Sequence, residues 1–120
     1  MDAITTGDYN TAFGYDALTN QTTGNNNVAI GYEALRDNST TSQNVAIGMS
    51  ALQESNAAGN VAIGANAMRG TTNTAITGGE NVAVGSSALK LNIGGASNTA
   101  IGKASMGNNT EGNYLSLIHI

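Results

Sequence analysis

Asn44-Val45-Ala46-Ile47-Gly48 is the stretch on which the fold turns, because it recurs at a nearly fixed step along the chain. The other copies are Asn10-Thr11-Ala12-Phe13-Gly14, Asn27-Val28-Ala29-Ile30-Gly31, Asn60-Val61-Ala62-Ile63-Gly64, Asn81-Val82-Ala83-Val84-Gly85 and Asn98-Thr99-Ala100-Ile101-Gly102. Their asparagines are separated by 17, 17, 16, 21 and 17 residues. Each glycine is followed by two variable residues and then by Ala17-Leu18, Ala34-Leu35, Ala51-Leu52, Ala67-Met68, Ala88-Leu89 or Ser105-Met106. The long gap carries a degenerate further copy, Asn73-Thr74-Ala75-Ile76-Thr77. Such a period, with one or two short strands per repeat, predicts an all-β parallel solenoid whose rungs stack along one axis.

Each repeat position can be given a physical task. Phe13, Ile30, Ile47, Ile63, Val84 and Ile101 are always large and apolar, so they are expected to form an internal core ladder. The Leu or Met that follows supplies a second core anchor. Ala12, Ala29, Ala46, Ala62, Ala83 and Ala100 never vary, and in a strand they face the opposite side from that ladder. Close packing against another layer of the chain or against a second chain would hold them small. The expectation adopted is a trimer face. The glycine marks a corner with a left-handed or crowded backbone, and the asparagine suggests an amide ladder along the axis.

The remaining positions read as surface. Asp16, Glu33, Ser50, Asn66, Ser87 and Ala104 fall at one repeat position, and Thr19, Arg36, Gln53, Arg69, Lys90 and Gly107 at another; both sets suggest solvent. Asn20 to Gly24 and Asn38 to Ser42 are turn-rich connections. Tyr32 to Asp37 is too short for an independent helix, and the Asn-Gly and Asp-Gly pairs of tight hairpins do not occur.

Composition agrees with this reading. The 120 residues include no Pro, Cys or Trp and one Phe, and only 10% are charged. That low charge argues against ordinary charged disorder, while the scarcity of large apolar residues argues against a conventional globular core. The net charge of -4 arises from scattered acids, so nucleic acid is not an expected partner. No stretch approaches the ~18 apolar residues of a membrane helix, so no membrane insertion is expected, and Met1-Asp2-Ala3-Ile4 does not resemble a signal peptide.

No constellation predicts catalysis, a cofactor or a metal. The single histidine, His119, has no partner set for a triad or zinc site. Asp16 and Glu33 would align on adjacent rungs, but Ser50 and Asn66 follow them, which fits a solvated face better than a glycosidase pair. Gly102-Lys103 lacks the rest of a phosphate loop, and the Gly-Gly-x-Gly-x-Asp calcium repeats are missing. Asn20, Asn38 and Asn108 begin glycosylation sequons of the kind an Asn/Thr-rich chain generates by chance. Tyr15 and Tyr32 share a repeat position and could stack. The uneven Thr-Thr pairs do not form the regular array expected of an ice-binding solenoid.

The Asn-Val-Ala-Ile-Gly cores at 27–31, 44–48 and 60–64 resemble the head repeats of YadA-like trimeric autotransporter adhesins. The longer unit from Asn10 through Leu18, followed by Thr22-Thr23-Gly24, looks still more like arrays in phage-type tail-fibre proteins. The resemblance covers residues 7–114. It implies a left-handed parallel β-roll, three chains side by side, and an extracellular fibre on a bacterial surface or a virion tail. The expected function is therefore a structural or spacer segment of such a homotrimeric fibre, with direct binding of host glycan or matrix as the alternative. Two departures are the period, longer than that of the shorter adhesin repeat, and the irregular gap at 65–80.

Residues 115–120 break the pattern. A 17-residue step from Asn98 calls for Asn at 115, but Leu115-Ser116-Leu117-Ile118-His119-Ile120 stands there. The mosaic-end adapter of transposon-based sequencing libraries, CTG TCT CTT ATA CAC ATC, encodes the same hexapeptide. The array is therefore expected to occupy 1–114, truncated at both ends, with 115–120 a non-native tail that makes no rung contacts.

Overall fold

The computed structural model describes residues 6–71 and 74–119. They form a parallel β-solenoid of seven three-residue strands in one sheet, ordered β1 to β7 along the chain. The strands are β1 (Thr11–Phe13), β2 (Val28–Ile30), β3 (Val45–Ile47), β4 (Val61–Ile63), β5 (Val82–Val84), β6 (Thr99–Ile101) and β7 (Ser116–Ile118). Every pairing is in register, alanine opposite alanine from Ala12 through Ala100. Hydrogen bonding between rungs continues beyond the strands: Glu33 N–H donates to Tyr15 O at 2.9 Å, and Leu35 N–H to Ala51 O at 3.0 Å. The whole turn therefore stacks, not the strand alone.

Two positions show why these residues make a rung. The motif glycines lie at φ between +118° and +137°, and a Cβ on Gly31 would stand 2.7 Å from Gly48 O on the next rung. Only a residue without a side chain fits a corner packed so closely. The second anchor is a left-handed leucine or methionine: Leu18, Leu35, Leu52, Met68 and Leu89 have φ between +47° and +53°. That conformation costs ~1–2 kcal/mol per residue. Complete burial of the side chain, worth ~1.5–3 kcal/mol, offsets it.

The expected inside and outside of the strand are exchanged. Ala29, Ala46, Ala62, Ala83 and Ala100 are fully buried and share one cluster with the Ala34 and Leu35 columns, while Ala12 on the first rung is half-buried. The alanines are thus held small by the opposite wall of their own chain and are not a face between chains. The proposed core ladder exists as an in-register column, but it points outward: Phe13 is 76% exposed, Ile30 and Ile63 37%, and Ile101 38%, with Ile47 and Val84 half-buried. The cause is the thinness of the roll at the strand. There the alanine methyl already packs against the Ala-Leu or Ala-Met turn of its own chain, which leaves no room on that side for a branched side chain.

Three further expectations change. Asn73 lies outside the described residues, but Ile76 from that degenerate copy adds no rung. Thr71 and Thr74 form an antiparallel bridge, and Ile76 forms a parallel bridge with Ser55, so Ile76 takes its place in an existing turn. The positions read as solvent are mostly half-buried, and Ser50 and Gln53 are buried. Residues 116–118 also join the sheet, pairing Leu117 with Ala100 and Ile118 with Ile101. That pairing is made by the main chain, as in His119 N–H to Ile101 O at 2.7 Å, and all three side chains of β7 are exposed.

The lumen argument predicts the behaviour of Ala46→Leu. Overpacking should cost ~1–3 kcal/mol, seen as a lower denaturant midpoint, with a loss relative to the parent chain that is the same at every protein concentration.

Candidate functional site

Three features of the rod could act: its interior polar columns, its outward sheet face and its loop edge. Inside, each motif asparagine fixes the next. Asn10 Oδ1 accepts from Asn27 N–H at 2.9 Å, Asn27 from Asn44 at 3.0 Å, Asn44 from Asn60 at 2.9 Å, Asn60 from Asn81 at 2.9 Å and Asn81 from Asn98 at 2.9 Å. The amide ladder along the axis is thus present, made chiefly from side chain to backbone, with Asn81 Nδ2 also donating to Asn60 Oδ1 at 3.2 Å. The other half of the amide ties down the loop fourteen residues on: Asn10, Asn27, Asn81 and Asn98 donate through Nδ2 to Gly24 O, Thr41 O, Gly95 O and Gly112 O. Asn98 Oδ1 ends the described ladder by accepting from Leu115 N–H at 2.8 Å, since leucine has no amide to continue it.

A second interior column explains the uneven period. Gln21, Asn38, Ser55, Ile76, Asn92 and Asn109 succeed one another at one position, and the first five are fully buried. From Gln21, Asn38 and Asn92 the chain reaches the next motif asparagine in six residues; from Ser55 to Asn60 and from Ile76 to Asn81 it takes five. The 16-residue step is therefore one deletion, and the 21-residue step is the same deletion plus a five-residue insertion before Ile76. Both deletions fall on adjacent rungs. They disturb the interior: Asn44 Nδ2 turns back to Thr41 Oγ1 at 3.1 Å, and Asn60 Nδ2 is buried without a partner. Leaving such a donor unsatisfied costs ~1–3 kcal/mol.

On the exterior the same deletions open a notch of about 470 Å³ in the loop edge, lined by Asn56, Ala57, Ala58, Thr77, Gly79, Glu80 and Ala96. Glu80 accepts from Ser97 Oγ at 3.4 Å and has no ion-pair partner among the described residues. No sequence signal pointed to this hollow. The two shortened loops could have been found only by placing Ile76 in the column of Ser55.

The residues foreseen as a solvated face form a polar spine instead. Arg36 bonds Asp37 at 2.7 Å and Glu33 at 2.8 Å, Gln53 Nε2 donates to Glu33 at 2.7 Å, and Arg69 Nε donates to Gln53 Oε1 at 3.1 Å. Burial pushes the Glu54 carboxyl above its usual range; Asp37 one rung away adds to the rise, against Arg36 and Arg69. Tyr15 and Tyr32 do stack, centroids 5.6 Å apart and planes 9° from parallel. A hydrogen bond and charge from Glu33 raise the Tyr32 hydroxyl. Their ring faces are turned along the axis, toward each other. Asp16 and Glu33 lie outside the loop-edge notch, and no group of three potential metal ligands occurs among the described residues.

The outward sheet face carries two apolar columns. One is Phe13, Ile30, Ile47, Ile63, Val84 and Ile101; the other is Val28, Val45, Val61 and Val82 between Thr11 and Thr99. Insertions and deletions leave it untouched, since β3, β4 and β5 keep their register across the irregular gap. No helix among the described residues is long and apolar enough to cross a membrane. No family model, curated protein or solved structure matches the chain.

Two variants test this interior. Asn44→Ala should lower stability by ~1–3 kcal/mol, because Asn60 N–H loses its buried acceptor; chemical denaturation measures it. Glu54→Gln probes the raised carboxyl. A folded pKa above the unfolded one means folding favours the protonated form, so ionised Glu54 opposes folding at neutral pH. The substitution should therefore raise the melting temperature at pH 7. That gain should fade as pH falls through the folded pKa toward the unfolded value of about 4.3.

Proposed function

We propose that this chain is a structural segment of a homotrimeric extracellular fibre, a phage tail fibre or a bacterial surface adhesin, in which the outward sheet faces of three copies meet along the axis. The observation carrying this reading is the unbroken Val-Ala-Ile strand. A sheet with one wet face alternates apolar and polar residues, whereas an all-parallel sheet covered on both sides reads as a continuous apolar run. The solenoid covers the alanine side itself and leaves the Val/Ile side for a partner. Length changes are absorbed entirely at the loops, as they would be if the strand face met other copies and the loop edge met solvent. The resemblance of the Asn-Val-Ala-Ile-Gly cores to trimeric adhesin heads supports three copies rather than two. In-register stacking also suits a spacer, because each added rung lengthens the rod without altering its cross-section.

The test is Ile63→Asp, which places a charge on the outward face without entering the lumen. Cap-free arrays should associate as trimers and melt in a concentration-dependent way, and fusion to a trimerising cap should raise their melting temperature. With Asp at 63, the arrays should separate while keeping their β-structure by circular dichroism. Cap-free arrays that stay monomeric at every concentration, with capped arrays indifferent to the substitution, would exclude the shared face.

A further inference from the structure

The notch in the loop edge is built differently from the rest of the rod. Two shortened loops lie one above the other, and Gly59, one residue before its motif asparagine, stands where Gln43, Glu80 and Ser97 carry side chains on neighbouring rungs. The deletions leave Asn60 Nδ2 buried and unpaired, while rungs with six-residue loops give the same nitrogen a carbonyl. A local rule broken at a structural cost, beside a hollow with unused polar groups, is the pattern expected of a functional site.

We propose that this notch binds a single neutral pyranose ring. Ala58 and Ala96 offer methyl groups suited to the C–H face of a sugar, above the buried Ala57, and Gly79 adds bare backbone. The polar groups around them are rich in acceptors. The Glu80 carboxylate has lone pairs to spare, Thr77 Oγ1 spends its proton on Ile93 O at 3.0 Å and keeps its lone pairs, and the Asn56 amide can both donate and accept. An acceptor-rich rim calls for a ligand rich in donors, as vicinal hydroxyls are. An anion is disfavoured, because no cationic side chain lines the hollow. A simple ammonium group would use Glu80 and leave the amide, the hydroxyl and the alanine floor idle. The volume of about 470 Å³ accepts one ring in an open seat, so the affinity should be weak, with Kd on the order of 1–50 mM.

This site goes beyond the fibre reading and does not require it, since the notch belongs to the loops. Amide resonances of the 120-residue chain would be followed during titration with methyl pyranosides of gluco, galacto and manno configuration, and with methylamine. At least one pyranoside should shift the amides of Ala57, Ala58, Gly79 and Glu80 saturably, and methylamine should not. Ala58→Tyr, at an exposed position, should fill the notch and abolish the response. Glu80→Gln should weaken binding about tenfold through loss of charge-assisted hydrogen bonds. The Ile63→Asp monomer should bind as well as the parent chain, which separates failure here from failure of the trimer. The absence of saturable shifts with every pyranoside, a response surviving both notch substitutions, or a response to methylamine alone would overturn the proposal.

Discussion

The backbone N–H of each motif asparagine is held by the side-chain oxygen of the asparagine one rung earlier, and the rest of the rod depends on that bond. It lies inside the lumen, away from competing water, where a missed partner is costly. It also fixes the start of each strand relative to the previous one whatever the length of the intervening loop. Steps of 16, 17 and 21 residues therefore yield one unbroken register. On the rungs of Asn10, Asn27, Asn81 and Asn98 the same amide, through Nδ2, anchors the loop that closes the turn. One residue type thus sets both the pitch of the rod and the width of its lumen.

A narrow lumen forces the other choices. With rungs ~4.8 Å apart, every side chain must tolerate a near copy of itself directly above, which favours alanine, glycine and hydrogen-bonded amides over bulky groups. Leucine enters once per turn, and only through a left-handed backbone. Volume that would fill the core of a larger domain is displaced to the outside of the strand. The apolar Val/Ile face thus follows from the small cross-section, and it gives the single chain a contiguous apolar surface on the outside of its sheet.

Tolerance of change is distributed accordingly. A strand cannot gain or lose a residue without reversing every side chain beyond it, and no strand here does. A loop can change length if its neighbours along the axis follow, which is why the two deletions occur on adjacent rungs. The five-residue insertion ends at Ile76, which pairs with Ser55 and takes the interior place of a polar residue.

Much of the fold was legible in the sequence. The recurrence of Asn-x-Ala-x-Gly set the rung and its register, the invariant glycine marked a corner that only glycine can occupy, and the Leu or Met column was recognisable as core. Those properties are local, or repeat along the chain, so periodicity reveals them. The side of the strand facing inward was not legible. A Val-Ala-Ile run is apolar on both faces, and the preference for burying the larger side chain pointed the wrong way, because lumen width is set by the opposite wall. The place of Ile76 and the notch likewise depend on which loops lie above one another. Residues 115–120 share no motif with the array, yet 116–118 pair with it, because a strand ladder is made by main-chain groups that every residue except proline carries. Sequence by itself determined the repeat and its chemistry; tertiary structure decided inside from outside, because only the closed turn fixes how much volume the lumen can hold.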